Sequence, residues 1–436
     1  MDELCPGLNQ RVNKGLVLKR AGCMYITPEL VARIKRKEPH EHIHVIVKVG
    51  QVGRECASKL MEKPYYTIRH QIRLINVFSL ALPAGEVERL AEEPWVERIE
   101  MDRKVYATLD TSVPLIGVPK IWGEYMGKGV NIAIVDTGVD KNHPDLFPRV
   151  VATRDFTLEG FRDLNGHGTH VAGIATGSGA SSKGRYRGVA PEANILAAKV
   201  LKGDGIGRMS DVMAGIEWAV EMGAHIVNLS LGSEGPCDGT DALSETCDAA
   251  VGQGVIICVA AGNDGPKKYT IGSPGCARNV ITVGASTDRD KVAKFSSRGP
   301  TADERLKPDV VAPGVDIISC RADEVLMGKP VNDHYTSATG TSMATPHVAG
   351  LSALLLQAKP VASPRLIKEA FIHTAKDLGV DQYAQGAGRI VAEDALRYVQ
   401  THENPPEAPE LGPTKPGCLA TFWEIVHFVK KRLKGD

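Results

Sequence analysis

At 436 residues the chain is long enough to bury more than one core. Its 52 Lys and Arg offset 52 Asp and Glu, so no global charge draws it to nucleic acid or to an acidic partner. The stretch Met1–Arg20 holds no apolar run long enough for a signal peptide, no later segment is an unbroken membrane span, and nine scattered cysteines fit a reduced compartment better than a disulfide framework. A cytoplasmic location is the expectation, with leaderless export left open.

Residues 1–40 form an extension whose clear feature is TPELVARIKRK, a helix with Thr27 as N-cap and Pro28 at its first position. Residues 41–109 are denser. HIHVIVKV alternates as a strand, RECASKLMEK reads as a helix, TIRHQIRL and NVFSLALP are two more strands, AGEVERLAEE is helical and VERIEMDRKVY returns to strand. That order is the split βαβ of a small ferredoxin-like α+β module, a topology that by itself says nothing of function.

From TLDTSVP onward Gly, Ala and β-branched residues dominate. VNIAIVD, HIVNLSLG and VIICVAAGN are nearly continuous apolar runs, as central strands of a parallel sheet covered on both faces require. GHGTHVAGIAT, MSDVMAGIEWAVEMG and SMATPHVAGLSALLLQ supply helices between and after them, so residues 110–400 are expected to form a doubly wound, mostly parallel α/β domain. Cys237 and Cys247 flank one loop and can pair in an oxidising setting, while Cys258 lies in an apolar strand and reads as a buried, inert thiol. A Pro-rich linker, 401–417, precedes a basic amphipathic helix, 418–436, with Leu419, Phe422, Val426, Val429 and Leu433 on one face and Lys430, Lys431, Arg432 and Lys434 at its end. Such a helix can dock on its own domain, on a second copy or on a membrane surface, and it is too short to span a bilayer.

The stretch that organises the chemistry is GTSMATPHVAG, from Gly340 to Gly350. Pro346 has no amide hydrogen and cannot sit deep in a helix, so the helix running to Leu356 begins close to Ser342. A serine at a helix N-terminus is either a cap or a nucleophile beside amides that favour developing negative charge. Its company decides. Asp136 ends the strand VNIAIVD, His167 begins the helix in GHGTHVAG, and Asn263 ends VIICVAAGN. Strand carboxyl ends and helix amino ends of such a fold share one edge, where ligands bind. A serine needs a base, an imidazole is the natural one near neutrality, a carboxylate orients it, and an amide side chain with the Ser342 amide can receive an oxyanion. A rival reading pairs His167 and His170, one helical turn apart, on a metal with Asp136 or Asp163, but it leaves Ser342 and Asn263 without a role.

DTGVDKNHPDL, NGHGTHVAG, NLSLG, AAGN and GTSMATPHVAG together resemble the signature blocks of the subtilisin family of serine proteases, with YRGVAPEANILAAKVL, SSRGP and KPDVVAPGV as further matches across residues 110–400. The resemblance implies that Asp136, His167 and Ser342 are a triad, that Asn263 completes the oxyanion hole, and that no cofactor is needed for the chemistry. It places Gly205, Ile206 and Gly207 as an edge strand pairing with an extended peptide substrate. Ser230, Leu231 and Gly232 become one wall of the main specificity pocket, Ala260 and Gly262 the other, and Gly272 lies near its floor. No charge lines that pocket in this alignment, so an apolar or aromatic residue is expected before the scissile bond and an acidic one is rejected. Asp145 matches one ligand of the family's calcium site, yet the loop that should supply the others, TGSGASSKGRYRG, carries no carboxylate. That loop, and the missing leader, look most like the intracellular bacterial and archaeal branch. The N-terminal module resembles the family's propeptides, which implies that it covers two surface helices of the protease, lays its tail in the cleft, assists folding and is cut off between Val105 and Ser112. A peptide ligase or cyclase on the same fold, and an inactive peptide-binding relative, are the alternative functions.

Overall fold

The computed structural model describes residues 25–49, 64–72, 77–101 and 109–406. The expected helices over 54–63 and 418–436, most of the linker between 401 and 417, and the window from 102 to 108 lie outside the described residues. The chain divides into two compact units, Met1–Tyr106 and Ala107–Asp436.

In the first unit, β1 (Tyr25–Ile26) and α1 (Pro28–Ile34) precede β2 (His42–Val49), β3 (Thr67–Ile72), β4 (Val77–Pro83), α2 (Val87–Ala91) and β5 (Val96–Met101). The sheet order is β1-β5-β2-β4-β3. The β5-β2-β4-β3 part is antiparallel throughout and has the split βαβ order expected of the module. β2 alternates as its letters do: Ile43, Val45, Val47 and Val49 are buried and His42 and His44 exposed, against a core with Leu80, Leu82, Leu30 and Ile99. Thr27 stands at the N-cap position before Pro28, but its hydroxyl makes no capping bond. β1 was not anticipated. It pairs in parallel with β5 over two residues, too few for any periodicity to mark it.

The second unit is built on a seven-stranded sheet. Its first elements are α3 (Leu109–Leu115), β6 (Asn131–Asp136), β7 (Val150–Asp155), α4 (His167–Thr176), β8 (Asn194–Lys199), α5 (Met209–Glu221), β9 (Ile226–Leu229), α6 (Ala242–Gly252), β10 (Ile256–Ala260), β11 (Ile281–Ser286) and β12 (Val310–Pro313). The order β12-β11-β10-β9-β6-β8-β7 is parallel at every pairing. Side chains of β6 and β8 alternate between two cores. Ile132, Ile134, Ile195 and Ala197 join one, with residues of α4; Ala133, Val135, Leu196 and Ala198 join the other, with residues of α5 and α6. A separate antiparallel sheet, β13 (Ile317–Cys320), β14 (Lys329–Pro330) and β15 (Tyr335–Ala338), leads into α7 (Thr341–Ala358). α8 (Pro364–Thr374), α9 (Gln382–Gln385) and α10 (Ala392–Thr401) complete the domain.

β8 and β9 flank β6 on opposite sides although they follow one another in the chain. The direction of winding therefore reverses at β6, and crevices for ligands open at the carboxyl end of such a strand. Asp136 is its last residue.

Candidate active site

Asp136 is fully buried. Its Oδ1 accepts from the Thr137 amide at 2.7 Å and from His167 Nδ1 at 2.7 Å. His167 opens α4, and Asp163 fixes that opening turn. Asp163 Oδ1 accepts from the Gly166 amide at 2.7 Å and from Thr137 Oγ1 at 2.9 Å, and its Oδ2 from the Thr169 amide and hydroxyl at 2.9 and 2.6 Å. Thr137 Oγ1 in turn accepts from the Gly168 amide at 2.9 Å. Gly168 is glycine for want of room, because a Cβ there would run into Gly138 O. Burial pulls the His167 pKa down, but the Asp136 charge and hydrogen bond outweigh it and hold the imidazole above its ordinary value.

The metal alternative fails on orientation. His170 is buried with Nε2 against Ile317 O and Thr336 O at 3.0 and 3.1 Å, and burial pushes it down to about 3. Its ring belongs to the packing of α4 on β13 and β15, while His167 is bonded to Asp136.

Ser342 is the second residue of α7. Pro346 supplies no amide for the Ser342 carbonyl, which would otherwise be its helical acceptor, and the Ser230 hydroxyl donates to that carbonyl instead at 2.8 Å. Ser342 Oγ donates back to Ser230 O at 3.0 Å, and Asn228 Nδ2 donates to Ser230 Oγ at 2.9 Å. In this resting arrangement the Ser342 hydroxyl points its proton at Ser230 O rather than at His167. Asn263 Oδ1 accepts from the Thr341 amide and hydroxyl at 2.9 and 3.1 Å, which commits its Nδ2 to donating elsewhere. Thr341 escaped the sequence reading, although it directly precedes Ser342 in the signature block.

Two adjoining cavities collect the remaining predicted residues. His167, Gly205, Ile206, Gly207, Ser230, Leu231 and Gly232 line a cleft of about 430 Å³. Ser342, Asn263, Ala260, Gly262, Gly272, Leu231 and Gly232 line a pocket of about 180 Å³. Leu231–Ser233 borders both. Gly205–Gly207 is a turn and not a regular strand: the Gly205 amide donates to Lys202 O, Gly207 forms an isolated bridge with Leu201, and Gly205 has φ 81°. A separate cavity of about 710 Å³, bordered by Asp140, His143, Arg162, Arg321 and Asp333, shares no residue with either.

The expectation that no charge stands beside Leu231, Gly232, Ala260, Gly262 and Gly272 is corrected at the cavity that holds Ser342. Glu234 and Asp264 both line it. Asp264 follows Asn263 directly, and Glu234 arrives because the chain after Gly232 turns against Gly272, where any Cβ would strike Ser233 O and where the Ser233 amide donates to Ser273 O at 2.8 Å.

The pairing of Cys237 with Cys247 is also corrected. Cys237 is bonded to Cys276, with Cα atoms 5.9 Å apart. Cys247 is a free, buried thiol packed in the core beneath α6, so sequence proximity misled. Cys258 is free and buried as expected, its thiol pushed up to about 12 by burial.

Both carboxylate oxygens of Asp145 are hydrogen-bonded within the protein. Its Oδ1 accepts from the Ser181 amide at 2.9 Å and its Oδ2 from the Tyr335 hydroxyl at 2.6 Å. The loop around it carries Lys183, Arg185 and Arg187 and no acid, a donor set unsuited to a hard dication.

The match to known proteins follows this geometry. The model of the subtilase family covers residues 127–388. The chain is 38% identical to serine protease AprX of Bacillus subtilis (strain 168), over 79% of this chain and 85% of that protein. It is 40% identical to an intracellular serine protease of Paenibacillus polymyxa, over 56% of this chain and 72% of that one. A solved cold-adapted subtilisin-like serine proteinase superposes with a TM-score of 0.52 at 32% identity, over 62% of this chain and 90% of its own. An aspartate closing the strand where the winding reverses, a histidine bonded to it and a serine heading the long buried helix thus sit in a sequence and a fold of one lineage, and the chain belongs to the subtilase family as a subtilisin-like serine protease.

Proposed function

We propose that the protein is an endopeptidase that works through an acyl-enzyme on Ser342. The carrying observation is the 2.7 Å contact of His167 Nδ1 with Asp136 Oδ1, which leaves Nε2 as the basic nitrogen facing the cleft that His167 lines. Ser342 Oγ turns from Ser230 O to His167 Nε2, gives up its proton there and bonds to the substrate carbonyl carbon. The carbonyl oxygen takes the negative charge and is held by Asn263 Nδ2 and the Ser342 amide. Collapse breaks the C–N bond, the imidazolium passes its proton to the departing amine, and water repeats the sequence in reverse roles to free the acid.

The first unit acts, in this proposal, as a propeptide removed by the protein itself. The bond cut lies on the N-terminal side of Leu109, within the upstream part of the Val105–Ser112 window. Support comes from α3, since the buried Ser112 hydroxyl meets His347 Nε2 at 3.0 Å, tying that turn to the helix that bears Ser342. The chemistry runs without a metal, and of the two locations the sequence leaves open, the Cys237–Cys276 bond favours leaderless export to an oxidising setting over the cytoplasm. No helix among the described residues is long and apolar enough to cross a membrane.

The test incubates purified protein with an unfolded protein substrate and a serine-directed phosphonyl inhibitor. Inhibitor-sensitive fragments, a labelled Ser342, and a Ser342→Ala variant that stays full-length are expected. Labelling without fragments turns the assignment to peptide ligation or cyclisation, and neither label nor fragments to a non-catalytic peptide binder.

A further inference from the structure

We infer that the residue before the scissile bond is selected as a lysine or arginine, by Glu234 and Asp264 at the pocket that holds Ser342. This selectivity rests on the endopeptidase function proposed above. The pocket is identified by the reacting groups that line it, Ser342 and Asn263, and not by its acids alone. Its other lining residues are Leu231, Gly232, Ser233, Ala260, Ala261, Gly262, Gly272 and Thr341, so Glu234 and Asp264 contribute every formal charge in it, two negative and none positive. Neither carboxylate lies under the protein: both residues are exposed. Asp264 stands beside the bare Gly262 wall, where an added Cβ would lie 3.7 Å from Asp264 Oδ2.

A cavity of this composition asks for an amphipathic guest. A straight methylene stem suits walls made of Leu231, Ala260 and the glycines, and a terminal cation reaches water and the two carboxylates together. An aromatic side chain uses the walls alone, and an acidic one meets two like charges. Because the acids are exposed, each ion pair contributes a factor of about two to five, and salt weakens it. The preference for a cation over an apolar isostere, with both pairs acting, is therefore about four- to twenty-fivefold at low ionic strength.

The experiment uses self-matured protein and a set of peptides identical except for lysine, arginine, norleucine, phenylalanine or glutamate before the scissile bond. The quantity read is the lysine-to-norleucine ratio of kcat/KM at low salt and in about 1 M salt, where screening acts within about 3 Å. Expected are a ratio of about four to twenty-five that shrinks in salt, falls stepwise in Glu234→Gln, Asp264→Asn and the double variant, and an Asp264→Lys variant that accepts glutamate. Labelling of Ser342 by the phosphonyl inhibitor shows that each variant has kept its fold. A wild-type ratio at or below one, or a ratio that the double variant leaves intact, overturns the selectivity while leaving peptide hydrolysis in place. Failure to cut any of the peptides sinks the endopeptidase assignment and the selectivity with it.

Discussion

His167 is subject to two opposing influences, and their balance fixes the working pH. Burial favours its neutral form, Asp136 favours the cation, and the second wins, so the folded pKa lies above the ordinary 6.5. The base must be neutral to accept a proton, hence kcat/KM rises as pH climbs through that raised value. Asp136→Asn removes the charge that raises it: the acid limb of the pH–rate profile should move down, and kcat should drop about 10⁴-fold. A wild-type limb centred below 6.5 contradicts this assignment. Asp136, His167 and Ser342 are legible in the letters because each closes an apolar run or opens a helical one, positions that a doubly wound sheet gathers on one rim. Glu234 and Asp264 are not legible in that way. Whether their loops converge depends on how the chain after Gly232 leans on Gly272, which no periodicity encodes.

At the scale of elements, β15 meets the loop between β6 and β7 through a buried bond, Tyr335 to Asp145. Burial and the adjacent carboxylate raise the tyrosine pKa, so the phenol stays protonated and donating across the ordinary range. It supplies Asp145 with a partner where the family's calcium would otherwise be sought. Tyr335→Phe leaves a buried carboxylate oxygen without its donor and should cost about 1–3 kcal/mol of stability, while a chelator should leave the wild-type Tm unchanged. Both are read by thermal unfolding with and without EDTA; a chelator-induced fall in Tm would restore a metal to this loop. The strands β2, β6 and β10 are predictable from alternation or from unbroken apolar runs, but β1 and β14 have two residues each and exist only through their neighbours. Cysteine pairing is likewise set by neighbours in space. Cys247 is nearer than Cys276 to Cys237 along the chain, yet α6 turns it into the core.

For the molecule as a whole, the packing of α4 and α7 locks two imidazoles, His170 and His347, in fully buried positions. Burial depresses them to about 3 and about 4. In the unfolded chain each binds a proton near its ordinary 6.5, so the unfolded state holds more protons and stability falls as pH drops below that value, continuing to about 4 for His347. Denaturant titrations between pH 4 and 6 should show a slope that His347→Gln lowers by about one proton; an unchanged slope means that the imidazole is charged in the fold. The doubly wound architecture itself is readable from composition, since long apolar strands alternating with helices admit few other arrangements. The three-residue partition Leu231–Ser233 carries a last consequence for the proposed protease, because it borders both of the adjoining cavities. A guest that presses on one face displaces what the neighbouring guest feels. Preferences at successive positions of a substrate are then inherited as a pair, and redesign of one will drag the other with it.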